Sequence, residues 1–155
     1  MTSQAKYDFL NGYLNAMNEE LSLADELNTL RLSMLPSGIA YDGVSGGGSI
    51  PHGLEAIFSK YDEMERELRD QIARRWAVRA RVVSAIDALA DPLERSVLKW
   101  QYINLCALET NGRVTGYRKR RFEEIAASID YTYDYVRHKA RDGVKHLVIP
   151  DSATK

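Results

Sequence analysis

The chain has 155 residues, of which 45% are hydrophobic and 28% charged, with a formal net charge of −1; this is the composition of a soluble globular protein of one domain or two small ones. Its uncharged runs fall far short of the ~20 apolar residues that span a bilayer, and the opening MTSQAKYDFLNGYLNAMNEEL lacks the basic-then-apolar layout of a secretory leader. The single cysteine, Cys106, excludes an internal disulfide and a zinc cluster, so a reducing cytoplasm is the expected setting.

Residues 4–33 predict a long helix. Tyr7, Leu10, Leu14, Met17, Leu21, Ala24 and Leu27 follow steps of three and four that keep one stripe on one face. Ser3 is a candidate N-cap, and Pro36 and Gly38 close the segment. The glycine-rich stretch 36–53 follows and is expected to be a flexible connector. It does not fit a phosphate-cradling loop, because no Lys-Ser/Thr follows it and no strand precedes it.

A second long helix is expected from Leu54 to Leu89. Its stripe is Leu54, Ile57, Tyr61, Met64, Leu68, Ile72, Trp76, Val83, Ile86 and Leu89. Neither long helix is stable in water without burying its stripe. An antiparallel hairpin or coiled coil over 1–90 is therefore the simplest arrangement. In ARRWAVRAR, Trp76 is expected in the hairpin core, with Arg74, Arg75, Arg79 and Arg81 solvated or paired with acids of the first helix.

Asp91-Pro92 supplies an N-cap and a proline for the first position of a third helix. Its apolar side is Leu93, Val97, Leu98, Tyr102 and Leu105. ETNGRVTGYRKRR then suggests a basic loop, followed by two short helices near 121–129 and 132–147 and a mobile tail at 149–155. Residues 113–147 carry nine Lys/Arg against five Asp/Glu, a local +4, which leaves −5 on the remainder of a −1 chain. An acidic body with a basic end points to a polyanionic partner.

Within FEEIAASIDYTYDYVRHKA, the spacing meets the demands of two helices crossing through a tight turn. Counting Phe122 as position 1, the shared-core positions 4, 8, 10 and 15 are Ile125, Ile129, Tyr131 and Val136. Ala126 at position 5 is small enough for the second helix to pass over it. Asp130 stands where the turn needs a left-handed backbone, and Thr132 is placed to cap the second helix. Outside that core, Thr132, Tyr133, Asp134, Arg137, His138 and Arg141 would face outward. Arg118, Lys119, Arg120 and Arg121 sit where they could hold a phosphate backbone.

DPLERSVLKWQYINL followed by FEEIAASIDYTYDYVRHKARDGVKHL resembles region 4 of the sigma-70 family of transcription initiation factors, over roughly residues 91–148. The chain as a whole is similar in layout to small phage and prophage regulators. The resemblance implies an all-α fold, with a long N-terminal antiparallel helical hairpin (1–90) and a C-terminal three-helix helix-turn-helix domain (91–148). It implies DNA contacts by Thr132, Tyr133, Arg137, His138 and Arg141, around a motif core of Ile125, Ala126, Ile129 and Val136. The expected partner is double-stranded DNA, with RNA polymerase and a homodimer through the N-terminal helices as further partners. The basic stretch 112–121 lengthens the joint before the motif, and Gly143 weakens the last helix by about 1 kcal/mol relative to alanine.

No cofactor or metal is expected: His138 and His146 are eight apart and no Cys or acid cluster joins them. DEMERELRD belongs to the polar side of a helix rather than to an acid–base pair. No nucleophile elbow, metalloprotease helix or dinucleotide fingerprint is present, so no enzymatic activity is expected. The rival readings are a small-terminase-like packaging subunit and an adaptor that binds RNA polymerase without DNA.

Overall fold

The computed structural model describes residues 2–34 and 54–151. Met1, Leu35, the connector 36–53, residues 152–155 and the side chains of Met34, Leu54 and Ile57 lie outside the described residues. In chain order the elements are α1 (Ser3–Met34), α2 (Leu54–Asp87), α3 (Pro92–Leu98), a π turn (Lys99–Ile103), β1 (Cys106–Thr110), β2 (Arg113–Arg118), α4 (Phe122–Ile129) and α5 (Tyr133–His146). The fold is mostly helical. It forms two compact units, Met1–Leu21 with Arg75–Lys155, and Ser22–Arg74.

In the larger unit, α1 and α2 run antiparallel, with Gly12 against Val78 and Glu19 against Arg75. Leu10 and Tyr13 of α1 and Val82 and Ile86 of α2 share one core with Leu98, Tyr102, Val144 and Leu147. A second cluster joins Val97, Ile125, Ala126, Val136 and Ala140, flanked by Trp100, Phe122 and Ile129. Each fully buried aliphatic side chain here contributes on the order of 1.5–3 kcal/mol.

Contrary to the core position expected from the periodicity, Trp76 is 62% exposed. The inward side of α2 passes instead through the half-buried Arg75 and Arg79 and the buried Val82 and Ile86. Arg79 donates to Glu20 at 2.9 Å, lies 5.0 Å from the Trp76 ring centroid, and pairs α2 with α1 as the sequence suggested. α2 stops at Asp87 rather than Leu89, although Leu89 is still buried. In the smaller unit, Leu30 and Leu68 are buried, whereas Met64, expected on the stripe, is exposed. Arg31 and Arg69 both bond Glu65 and hold its carboxyl below the usual carboxylate range.

The all-α expectation needs one correction. The segment expected as a basic loop is a two-stranded antiparallel hairpin, with Cys106 opposite Arg118 and a bulge between Leu108 and Glu109. Asn111 and Gly112 both have positive φ, at 52° and 76°, the conformation whose twist suits two-residue hairpin turns. The Asn18 side chain accepts from the Tyr117 N–H at 2.8 Å and donates to its carbonyl at 3.3 Å. It thereby pairs a strand-edge peptide as another strand would.

α3 begins as expected: the Asp91 carboxylate accepts from Leu93 N–H at 2.8 Å and Pro92 is the first helical residue. The π turn follows it, closed by Asn104 N–H to Lys99 O at 2.8 Å. α5 packs closely on α3, and a Cβ on Gly143 would lie 3.0 Å from Leu98 Cδ1 and 3.1 Å from Leu98 Cγ. Gly143 is thus the price of a close helix contact rather than a plain weakness. Replacing it with alanine gains about 1 kcal/mol of helix propensity but crowds a side chain that is fully buried, a cost of roughly 1–3 kcal/mol. Gly143→Ala is expected to lower the urea midpoint, and Gly143→Val to lower it further.

Candidate nucleic-acid interface

α4 opens with Glu123 and Glu124 in its first turn, favourable against the helix dipole. It ends at Asp130, which adopts the left-handed conformation (φ 58°, ψ 46°) as the spacing predicted. The Tyr131 N–H reaches back to Ala126 O at 3.2 Å, and the Thr132 hydroxyl accepts from Tyr135 N–H at 3.3 Å to start α5. Ile125, Ala126 and Val136 are buried and Ile129 packs beside them. Tyr131 departs from the expectation of a core position: it is exposed, and its ring stacks on Tyr135 at 4.8 Å.

α5 is divided lengthwise. Val136, Ala140, Gly143 and Val144 face the body. Asp134, Arg137, His138, Arg141 and Lys145 are exposed. Among the predicted contact residues, Thr132 is occupied as the cap, and Tyr133 meets Phe122 edge-on at 6.0 Å between ring centroids. Arg137, His138 and Arg141 therefore come together along one helix edge.

The basic run before α4 behaves differently. Arg118 bonds Glu124 at 3.0 Å and the Lys119 carbonyl at 3.1 Å. Lys119 sits 5.1 Å from the Tyr102 ring centroid, and burial lowers its pKa. Burial likewise pushes the Tyr102 hydroxyl up to about 12. Arg120 donates to Asn104 O at 2.6 Å and lies 5.3 Å from the Trp100 ring centroid. Arg121 alone of the four is exposed, at the N-cap of α4. Three of the four cations are thus turned onto the protein's own aromatic, carbonyl and carboxylate groups.

Two residues with no functional signal in the sequence join the α5 edge. Tyr7 of α1 and Gln101 of the π turn line a recess together with Arg137 and Arg141. No local pattern ties Tyr7 to a segment so far along the chain. Lys145 is exposed on the same edge, and its carbonyl accepts from Lys6 Nζ at 2.6 Å.

Among the described residues, no three His, Cys, Asp or Glu gather as a metal site, and no helix is long and apolar enough to cross a membrane. The chain matches no protein-family profile, no curated protein and no solved structure.

Two carboxylates that fix this region are held below their ordinary range. The Lys139 ammonium, 2.7 Å away, does so for Asp91, aided by the Leu93 N–H. Arg118 does so for Glu124. A carboxyl with a depressed folded-state pKa stabilises the fold above its ordinary value, and this stabilisation is lost as pH falls through the folded value. The ordinary values here are 3.8 and 4.5. The melting temperature should accordingly hold steady from about pH 7 to about pH 5 and fall below about pH 4. Asp91→Asn should melt lower at neutral pH and lose part of that acid dependence, as read by circular dichroism.

Proposed function

We propose that the chain is a sequence-specific DNA-binding transcription regulator of phage or prophage type. In this reading α4, the Asp130–Thr132 turn and α5 act as a helix-turn-helix, and α5 enters the major groove. The supporting observation is the lengthwise division of α5, with Val136, Ala140 and Val144 inward and Arg137, His138, Arg141 and Lys145 exposed. A helix held by one side, with donors along the other, has the shape and chemistry to approach base edges and phosphates.

Phosphate contacts supply most of the affinity and make it salt-dependent. Arg121 and Lys145 are exposed cations suited to that part. His138 points farthest from the body on the helical wheel and is the best-placed side chain for a base edge. The reading assigns no chemistry to the chain and needs no cofactor.

Selection of bound duplexes from a random pool tests this directly. One motif should be enriched, and binding should weaken steeply with salt. His138→Ala should reduce discrimination at the position it reads by an amount on the order of 1–3 kcal/mol, with little loss on random duplex. An unenriched pool, together with no mobility shift of any duplex at low salt, would sink the reading. Eight or more copies by light scattering would point instead to a packaging ring.

A further inference from the structure

Arg137 and Arg141 lie one turn apart on α5, so their guanidinium groups share one neighbourhood. Both line a recess of about 180 Å³ that Tyr7, Gln101 and Phe122 help to enclose. The volume is several times the roughly 30 Å³ that a water takes up in the liquid, so an oxyanion of five heavy atoms fits.

The charge balance in the recess is one-sided. Arg31, Arg75, Arg79 and Arg118 each meet a glutamate. Arg81, Arg95 and Arg120 each donate to a backbone carbonyl. Among the described residues, Arg137 and Arg141 have no such partner, and no carboxylate lines their recess. Two like charges at this spacing repel unless an anion sits between them.

The donors suit one class of anion. The polar residues that line the recess, Arg137, Arg141, Gln101 and Tyr7, come from three different elements and carry N–H and O–H donors. A tetrahedral oxyanion accepts from several directions at once, whereas a carboxylate offers two coplanar oxygens. Phe122, Ala140 and Val144 give the recess an apolar wall.

We propose that the Arg137–Arg141 recess, completed by Gln101 and Tyr7, binds a single phosphate group. The group comes either from a duplex backbone or from a free phosphate; the first source rests on the DNA-binding reading of α5, and the second does not. On the first source, Arg137 and Arg141 fix the register of α5 on the duplex, and base discrimination rests on side chains farther round the helix.

The test uses the full chain with ¹⁵N-labelled arginine and follows the Nε–Hε signals. Inorganic phosphate should shift the Arg137 and Arg141 signals along one saturation curve and leave those of Arg31 and Arg79 in place. Arg141→Gln and Gln101→Leu should each weaken phosphate binding, the first by about tenfold or more for a lost charge-assisted contact, with unchanged circular dichroism. A short random duplex at low salt should then compete with phosphate for the same two signals, which assigns the site to a backbone phosphate. If phosphate moves the signals and the duplex neither binds nor competes, the site stands as one for a free phosphate and the DNA reading fails. If the duplex is retarded in a gel but neither ligand moves the signals, the phosphate site is overturned and the DNA reading survives. Phosphate binding that is unaltered in Arg141→Gln overturns the site as well.

Discussion

The basic edge of α5 exists because its opposite side is locked onto α3. Asp91, Glu94 and Leu98 lie along one face of α3. Against them stand Lys139 at 2.7 Å from Asp91, Gly143 at the Leu98 side chain, and His146 Nδ1 at 3.0 and 3.1 Å from the Glu94 oxygens. Glu94 is 4% exposed, and a carboxylate taken out of water is costly unless it is paired. Its pairing with His146 and the close seat of Gly143 together fix the rotation of α5 about its own axis. A rotation of one residue would exchange members of the buried and exposed sides, since neighbours on a helix differ by about 100°.

That lock also decides where positive charge appears. Counted on the sequence, the C-terminal end is strongly basic, but much of that charge is used internally. Lys139 serves Asp91 and lies beside the Tyr135 ring, Arg118 serves Glu124, and Lys119 and Arg120 lie beside aromatic rings. Cation–ring and ion-pair contacts of this kind hold the π turn, the hairpin and α4 together at modest individual strength. Of the cations in 113–147, those exposed to solvent are Arg113, Arg121, Arg137, Arg141 and Lys145, fewer than the composition suggests.

The parts of this arrangement that were legible in the sequence are those governed by local rules. Asp91-Pro92, Thr132 and Asp130 each act within one turn of helix, and each takes the expected role. The pattern of Ile125, Ala126 and Val136 is equally local. Trp76 was not legible, because large apolar residues usually mark the buried face. The α2 stripe runs through Arg75 and Arg79, whose acids on α1 become neighbours only after the two helices pair. The hairpin at 106–118 carries a local signal, since Asn111-Gly112 is a strong two-residue turn pair, but the basic residues that follow it give the segment the composition of a solvated loop. Tyr7 and Gln101 had no signal, because only the tertiary fold brings them to Arg137 and Arg141.

The first turns of α1 bear on the candidate interface more than a spacer would. Leu10 and Tyr13 enter the core that holds Val144 and Leu147. Asn18 satisfies the edge peptide of Tyr117, and Lys6 donates to the Lys145 carbonyl near the C-terminal end of α5, where a cation also complements the helix dipole. Tyr7 lies between these contacts and lines the arginine recess. The start of α1 is therefore part of the surface that α5 presents, so a change at the N-terminal end acts on that surface through packing and hydrogen bonds. A C-terminal fragment beginning at α3 would keep the α4–α5 turn, yet lose the side chains that seat α5 at its far end.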